Sequence, residues 1–377
     1  MRRRRFFRLS AAVAGGLVLA ACDESGSQDT AGAPPSRVPH DDRAWLMPEE
    51  GDPHVRTWMA FGAGERVWGA ELLPVVRDNL AAIARAIARF EPVSMLVRAE
   101  EMDLARGLMG GANVELVPAA LDDLWMRDTG PVFVKGATGM AGVDFNFNGW
   151  GGKQRHAEDT KVAEIVTGRA GVETLHTGLV LEGGGIEVDG QGTGIITESC
   201  VLNDNRNPGW SKADVEAELK YLLGLEKIIW LPGIKGEDIT DGHTDFYARF
   251  ARPGVVVAGL DTDPDSYDHD VTQRHLEILR GATDVHGNAL QVEVIEGPAQ
   301  VRPQYRDQKD FAAGYINYYV CNGGVIAPQF GDQDGDSAAR DTLERLFPGR
   351  EVVQIDIDGI AAGGGGIHCT TQQQPVG

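Results

Sequence analysis

Polar side chains that could carry covalent chemistry recur at one edge of several glycine-rich, strand-like segments. The five positions are Asp128 in Trp-Met-Arg-Asp, Glu182 in Leu-Glu-Gly-Gly, His243 and Asp245 in His-Thr-Asp, and Cys369 directly after His368. In a strand, residues two apart point to the same face, so His243 and Asp245 are predicted to project into one site. A thiol beside an imidazole indicates nucleophilic catalysis assisted by proton transfer.

The carboxylates restrict what such a thiol could attack. A free cysteine has a pKa of about 8.5, and neighbouring carboxylates would raise that pKa and disfavour the thiolate. The arrangement makes sense when the substrate is itself a cation, because a guanidinium presents a planar fork of donors that carboxylates bind. A bound guanidinium would then lower the pKa of the thiol. The sequence therefore predicts a small cationic substrate that activates its own nucleophile.

The overall charge agrees with a cationic substrate. The formal net charge is −21, and it becomes −26 when the five basic residues within the first 21 positions are left out. Such a surface repels phosphates, so nucleic acid is not an expected partner, and it concentrates small cations near a cleft. An acidic surface that serves only solubility would explain the charge equally well.

The remaining cysteines and histidines give no second site. None of Cys22, Cys200, Cys321 and Cys369 forms a Cys-x-x-Cys pair, so neither a structural metal nor a disulfide scaffold is expected. Cys200 and Cys321 lie in apolar runs and are predicted to be core residues. His368 is adjacent to Cys369, and strand alternation predicts that it points away from the site and has a structural role.

A repeated pattern is expected to position the polar side chains. An apolar strand, a glycine-rich turn and a second apolar strand recur from Trp125, Leu181, Gly242 and Tyr315. A degenerate fifth copy pairs the segment at 56–62 with the C-terminal segment from Gly363. Asp128, Glu182 and His243 are 54 and 61 residues apart, and Cys369 follows 126 residues after His243.

Helical apolar spacing occurs between the strand pairs, at residues 72–90, 212–223 and 338–347. The pattern predicts an α/β fold of strand-strand-helix-strand units that close into a ring. An unrelated α/β sandwich with coincidental spacing is the alternative. The aspartates that precede the last helix resemble the start of a calcium loop, but the later ligand positions are missing, so a loop at a helix N-terminus is the favoured interpretation.

Seven blocks of sequence resemble the agmatine deiminase family. They are WMRDTGP, FNFNGWGGK, LEGG, LNDNRNPGW, DGHTD, NGGVIAPQFGD and GGGGIHCTTQQQP. The resemblance covers residues 44–377 in collinear order, which implies a single catalytic domain over that range. It also implies the fold of the guanidino-group-modifying enzymes, a five-bladed, pseudosymmetric α/β propeller (pentein-like) around a central active site.

The resemblance also implies a role for each site residue. Cys369 would attack the guanidinium carbon, and His243 would act first as general acid and then as general base. Asp128 and Asp245 would bind the guanidinium nitrogens, and Glu182 would orient His243. Trp125 and Trp150 would flank the planar group or the aliphatic stem of the substrate. The reaction implied is hydrolysis of agmatine to N-carbamoylputrescine and ammonia through an amidino-cysteine intermediate, with no cofactor and no metal.

The sequence departs from the family pattern at three places, one of which is Phe61-Gly62, where family members commonly have Trp-Pro after the first strand. The family usually has asparagine before Ile-His-Cys, where this chain has Gly366, and the segment Glu50-Gly51-Asp52-Pro53-His54 replaces a tryptophan-containing one. These changes leave open a deiminase acting on free arginine or peptidylarginine, for which Arg127, Arg155 and Arg206 would be the candidates to bind a carboxylate. A tethered protein that binds guanidines or polyamines without turnover is the alternative from another class. A serine hydrolase is disfavoured because the Gly-x-Ser-x-Gly motif is missing from the sequence.

The first 43 residues have the pattern of an export signal followed by a tether. Residues 1–21 contain a twin-arginine-like start and a 13-residue apolar run, which is too short to span about 30 Å of hydrocarbon. The run ends in Leu-Ala-Ala before Cys22, as in a bacterial lipobox, so Cys22 is the predicted lipidation site. Residues 22–43 are a polar tether. The prediction is an exported protein, anchored to the membrane through Cys22 or secreted, with an oligomeric state that the sequence does not define.

Overall fold

The computed structural model describes residues 40–308 and 310–377, which form a mixed α/β fold. Its strands lie in five separate sheets, two with four strands and three with three. The predicted signal peptide, Cys22 and most of the predicted tether lie outside the described residues. In the part of the chain that is described, each helix is too short or too polar to cross a membrane.

The strands are short, as the frequent glycine-rich turns predict. They are β1 (Trp45–Leu46), β2 (His54–Phe61), β3 (Val93–Val97), β4 (Val114–Pro118), β5 (Val132–Gly136), β6 (Gly139–Asp144), β7 (Glu173–His176), β8 (Ile186–Val188), β9 (Thr193–Thr197), β10 (Lys227–Leu231), β11 (Ala248–Arg252), β12 (Val255–Leu260), β13 (Gln291–Glu296), β14 (Tyr319–Cys321), β15 (Gly324–Gln329), β16 (Glu351–Asp356) and β17 (Thr371–Pro375).

The helices fall between the strands. They are α1 (Glu65–Ile87), α2 (Met102–Met109), α3 (Met126–Thr129), α4 (Gly149–Gly152), α5 (Val162–Ala170), α6 (Glu198–Val201), α7 (Lys212–Leu223), α8 (His269–Gly281), α9 (Gln333–Leu346) and α10 (Asp358–Ala361). α7 has the predicted bounds, whereas α1 and α9 begin several residues earlier than the apolar spacing indicated. α9 begins directly after Asp332, and Asp334 and Asp336 lie in its first turn, where negative charges favour the helix dipole.

The same unit occurs in each of the five sheets. Two antiparallel strands form a hairpin, and a helix then crosses over to a third strand parallel to the second. The crossover helices are α5, α7, α8 and α9 in four of the sheets. In the fifth, the C-terminal β17 pairs antiparallel with β2, and α1 connects β2 to the parallel β3. The first and last parts of the chain therefore complete one unit together, as the degenerate fifth repeat predicts.

Local sequence explains the bounds of the best-defined helix, α7. Ser211 and Asp214 form a reciprocal capping box at its N-terminus. At its C-terminus, Gly224 has φ 68°, and a Cβ atom there would lie 2.2 Å from the carbonyl oxygen of Trp45. Only glycine fits this position, because both the left-handed backbone and the close approach exclude a side chain. The cap thus fixes α7 against β1.

The apolar faces of the strands and crossover helices bury the hydrophobic core. β3, whose sequence is VSMLV, is buried along its whole length, as expected for a strand with parallel neighbours on both sides. α9 is amphipathic and buries Ala339, Leu343 and Leu346. The strands and helices thus form the core, and the turns next to the strand ends carry the polar residues described next.

The last residues of the predicted tether contact the body of the protein. The ring of His40 stacks on Tyr221 with centroids 3.7 Å apart, and its Nε2 atom lies 2.8 Å from Glu218. Arg43 pairs with Glu173. Residues 40–43 therefore contact α7 and β7.

Candidate active site

Four short turns, each directly before the first strand of a hairpin, carry the predicted site residues. Asp128 lies in α3 before β5, and Glu182 precedes the 3₁₀ turn Gly183–Gly185 before β8. His243 and Asp245 belong to the turn Thr244–Phe246 before β11, and Cys369 lies in the turn His368–Thr370 before β17. The residues lie next to strands, as predicted, but His243 and Asp245 belong to a turn and not to the strand that their predicted common face assumed. Turn geometry directs the side chains, so strand alternation does not apply.

The thiol of Cys369 is buried beside polar partners. Its Sγ atom lies 3.5 Å from Oδ2 of Asp245 and 3.3 Å from Nδ2 of Asn317. Burial, and then the negative charges of Asp245 and Asp128, raise the pKa of Cys369 well above its ordinary value. The thiol is therefore protonated at neutral pH.

The imidazole of His243 lies between two carboxylates. Its Nε2 atom is 3.1 Å from Oε2 of Glu182, and its Nδ1 atom is 3.7 Å from Oδ1 of Asp128. Burial alone would favour the neutral ring, but the charge of Asp128 and the contacts with Cys200 and Glu182 raise the pKa of His243 well above its ordinary value. His243 is consequently an imidazolium that can donate a proton.

Glu182 is fixed by a buried arginine. Arg206 donates from Nε to both carboxylate oxygens of Glu182, at 2.9 and 3.0 Å, and from Nη1 to Asp241 at 2.7 Å. Although burial opposes it, the positive charge of Arg206 lowers the pKa of Glu182. Arg206 also donates to the carbonyl oxygen of Thr240, which lines the pocket. One arginine thus orients the partner of His243 and holds one wall of the pocket.

The two aspartates differ in how far their oxygens are satisfied. Asp128 accepts from the backbone N–H of Gly184 at 3.1 Å and from Nε1 of Trp150 at 2.9 Å. Asp245 accepts from His368 through Oδ2, but its buried Oδ1 has no hydrogen-bond partner. An unpaired buried carboxylate oxygen is costly, so Oδ1 of Asp245 is open to a donor supplied by a ligand.

A pocket leads to these residues. Its wall is rich in aromatic rings and contains two carboxylates besides the thiol. The lining residues that carry the argument are Trp68, Trp125, Trp150, Phe246, Asp123 and Asp128. Among the described residues that line it, none is lysine or arginine. The pocket therefore suits a slender cation whose far end carries no negative charge.

Asp123 arranges two of the indoles. Trp68 and Trp125 donate to its two carboxylate oxygens at 2.8 and 3.1 Å, and burial raises the pKa of Asp123 to about 6. The ring of Trp125 lies so close to Gly365 that a Cβ atom on that glycine would be 2.2 Å from it. The glycine run before Cys369 therefore makes room for the indole that lines the pocket.

His368 is part of the site, and its predicted orientation was wrong. Its Nδ1 atom lies 2.7 Å from Oδ2 of Asp245, and its Nε2 atom lies 2.8 Å from Oε2 of Glu50. Glu50 also accepts from Arg127 at 3.1 Å and from Arg249 at 2.9 Å. The prediction assumed an extended strand, in which adjacent side chains diverge, whereas the 3₁₀ turn lets His368 contact Asp245 beside Cys369.

The predicted site residues are all brought together, and sequence reasoning missed several others. Trp125 and Trp150 line the pocket, and Asp128, Glu182, His243, Asp245 and Cys369 surround its inner end. The missed residues that contact this set are Asn317, His368, Trp68, Asp123 and Cys200, and Glu50 in turn contacts His368. Cys200 is buried, as predicted, but its Sγ atom lies 3.4 Å from Glu182, next to His243.

One cluster of side chains that could bind a metal ion lies within the site. Glu182, Cys200 and His243 place atoms that could hold a metal ion within 4.8 Å of one another. Arg206 adds a positive charge directly to Glu182, so a further cation there would be repelled. A second group, Asp144, Glu164 and His176, lies outside the pocket and is more exposed. The geometry thus favours proton transfer over metal binding in the pocket.

Comparison with known proteins gives consistent matches along the chain. The model of the Porphyromonas-type peptidyl-arginine deiminase family matches residues 46–375. A protein of Streptomyces coelicolor is 46% identical over 337 residues, covering 87% of this chain and 98% of that one. An agmatine deiminase of Pseudomonas aeruginosa is 39% identical over 364 residues, covering 91% and 98%. The structure of the agmatine deiminase of Enterococcus faecalis superposes with a TM-score of 0.83 at 31% identity, covering 88% and 96%.

Proposed function

The chain belongs to the Porphyromonas-type peptidyl-arginine deiminase family and to the agmatine deiminases within it, and on this premise we propose that it hydrolyses agmatine to N-carbamoylputrescine and ammonia. It is a hydrolase that acts on a guanidino carbon–nitrogen bond. The observation that carries the choice of substrate is a pocket with carboxylates and a thiol at its inner end and no cationic residue in its described lining.

The first chemical step follows from the charges around Cys369. A guanidinium that donates to Asp128 and to the unpaired Oδ1 of Asp245 neutralises the two carboxylates that raise the pKa of the thiol. The thiol gives its proton to water, and the resulting thiolate forms an S–C bond to the guanidinium carbon. As the C–N bond breaks, the imidazolium of His243 gives its proton to the departing ammonia. The product of this step is an amidino-thioether on Cys369.

The second step regenerates the thiol. Neutral His243, still oriented by Glu182, accepts a proton from a water molecule that attacks the amidino carbon. The C–S bond breaks, a ureido product leaves, and His243 is again protonated. Trp125 and Trp150 border the pocket, where their ring faces favour a cation, and Trp150 also keeps Asp128 in place through its N–H.

The contacts of three arginines disfavour free arginine and peptidylarginine as substrates. Arg127 is buried against Glu50, and Arg206 is buried against Glu182 and Asp241. Arg155 pairs with Asp122 at 2.7 Å. Each candidate for binding a substrate carboxylate is therefore already neutralised, and an α-carboxylate in the pocket would be left unpaired. A protein that only binds guanidines would not need the thiol or the imidazolium.

The architecture and the location of the protein complete the proposal. We propose that the five repeated units are arranged as the five blades of an α/β propeller, because the site-bearing turns of four units contact one another through His243, Asp245 and their partners. We also propose that residues 44–377 form one catalytic domain. The composition of the first 43 residues supports two further proposals, that residues 1–21 are a signal peptide and that Cys22 is lipidated on the outer side of the membrane.

The test measures release of ammonia and of ureido product by the purified protein. Agmatine, arginine and an arginyl peptide are offered separately, with Cys369→Ser as the inactive variant and Cys321→Ser as the matched control in the core. We expect kcat/KM for agmatine to exceed that for arginine by about 10³ or more, because an unpaired buried carboxylate costs several kcal/mol. Equal rates on agmatine and arginine, or turnover by Cys369→Ser, would contradict the proposal.

A further inference from the structure

The fifth repeated unit also has a turn before the first strand of its hairpin, and that turn carries Asn317. Four units place Asp128, Glu182, His243 with Asp245, and Cys369 immediately before β5, β8, β11 and β17. Asn317 precedes β14 by two residues, as Cys369 precedes β17 by two residues. Asn317 is fully buried, so each of the five units supplies a buried polar side chain two to five residues before its first antiparallel strand.

The amide of Asn317 contacts Cys369 at two points, the thiol and the backbone N–H. Its Nδ2 atom donates to Sγ of Cys369 at 3.3 Å, and its Oδ1 atom accepts from the backbone N–H of Cys369 at 3.3 Å. The carbonyl oxygen of Asn317 accepts from the backbone N–H of His368 at 3.2 Å. The N–H of Cys369 selects the orientation of the amide, because it requires the oxygen on its side and leaves the NH₂ group facing the sulfur.

The space that the amide occupies depends on Gly366. A Cβ atom on Gly366 would lie 2.3 Å from Oδ1 of Asn317 and 2.7 Å from Cγ. These distances are far below van der Waals contact, so any side chain at position 366 would displace the amide. The residue at 366 therefore decides whether Asn317 can reach the thiol.

We propose that Asn317 is a positioning residue for the nucleophile, whose amide donates to the Cys369 thiolate and stabilises it, and that Gly366 is required for this contact. The inference rests on the proposed function in taking Cys369 as the nucleophile. When the thiol is protonated, it can donate to Asp245 at 3.5 Å, and the bond from Nδ2 then stabilises the sulfur once the proton has left.

The charged groups that face the thiol oppose its ionisation. They are the carboxylates of Asp245 and Asp128, with His368 and His243 bound to those carboxylates. Burial and these two charges raise the pKa of Cys369, whereas the hydrogen bonds from Gly366 and Asn317 lower it. The Asn317 amide is thus a neutral donor that partly offsets the carboxylates without competing for the cationic substrate.

The test follows alkylation of Cys369 by iodoacetamide in the full-length protein, with modified peptides identified by mass spectrometry. The rate is measured from pH 6 to 10 for the wild type, Asn317→Ala, Gly366→Ala and the double variant. We expect each single variant to react about tenfold more slowly at neutral pH and to reach its midpoint at higher pH, as for the loss of one charge-assisted hydrogen bond. The double variant should equal Asn317→Ala, because the amide that Gly366→Ala displaces is already missing.

Asn79→Ala is the matched control, since Asn79 is a buried asparagine that bonds backbone groups of 356 and 359–360 outside the site. It should lower thermal stability without changing the alkylation profile. An unchanged profile in Asn317→Ala, or additive effects in the double variant, would overturn the proposal. Alkylation of Cys369 does not require turnover. If the protein hydrolyses no guanidine but shows the expected alkylation profile, only the proposed function is refuted. We also expect kcat on agmatine to fall in Asn317→Ala with little change in KM, because Asn317 does not line the pocket.

Discussion

Replacing Glu182 with glutamine is the sharpest test of the charge arrangement around His243. Glu182 is fully buried, contacts His243 at 3.1 Å and Arg206 at 2.9 Å, and does not line the pocket. Glutamine has the same shape but no charge, so Glu182→Gln removes the electrostatic support of the imidazolium and leaves the walls of the pocket in place. The effect should therefore appear in kcat and in the pH profile rather than in KM.

The magnitude follows from the type of bond that is weakened. A hydrogen bond between charged groups contributes about 1.5–3 kcal/mol, which corresponds to a loss of about 10- to 150-fold in kcat. The pKa of His243 is held above its ordinary value partly by Glu182, so this pKa should fall in Glu182→Gln. Because His243 must be protonated to release ammonia, activity is lost as pH rises through its pKa. The alkaline limb of the kcat profile should move to lower pH.

The assay is the initial rate of ammonia release from agmatine between pH 6 and 10 under saturating and limiting substrate. Glu91→Gln is the matched control, because Glu91 is a buried carboxylate bonded to His54 at 3.1 Å outside the pocket. That variant should have a lower Tm and an unchanged pH profile. If Glu182→Gln kept the wild-type alkaline limb, or if both variants gave the same profile, Glu182 would have no role in setting the proton affinity of His243.

Three further predictions address the pocket, the buried charges and the pH dependence of stability. Trp150→Phe removes the N–H that Asp128 accepts at 2.9 Å, so KM for agmatine should rise about tenfold; an unchanged KM would show that Asp128 needs no such support. Glu50→Gln leaves buried cationic partners uncompensated and should lower the free energy of unfolding by about 3–5 kcal/mol, with a correspondingly lower Tm; a Tm within a degree of wild type would refute this reading. Burial and the charge of Asp52 raise the pKa of Glu49 to about 7 from an unfolded value of 4.5, so the free energy of unfolding falls as pH rises from 4.5 to 7. Glu49→Gln should remove this loss of stability, which is of the order of 1 kcal/mol for a partly solvated group. A difference in Tm between wild type and Glu49→Gln that is the same at pH 5 and pH 8 would contradict the prediction.

Much of the architecture could be predicted from local sequence patterns. Alternating apolar residues, glycine-rich turns and the helical segment at 212–223 define the strand-strand-helix-strand unit, because these signals depend on neighbouring residues. The number of units and the pairing of the first and last segments followed from the recurrence of that unit. The substrate class followed from chemistry alone, since carboxylates beside a thiol are useful only when the substrate is a cation.

The tertiary structure decided which side chains complete the site. His368 was assigned to the wrong face because a 3₁₀ turn, formed where the chain enters β17, replaces the expected strand. Asn317 gave no sequence signal, since it is one polar residue in the aromatic run Tyr-Ile-Asn-Tyr-Tyr, and its contact with Cys369 joins positions 52 residues apart. Glu50 is separated from Arg249 by 199 residues and bonds to it only in the folded chain. The sequence by itself determined the repeated unit and the reacting groups. Burial and long-range contacts determined the charge states of those groups, because side chains lose water and come close to distant charges only when the units pack together.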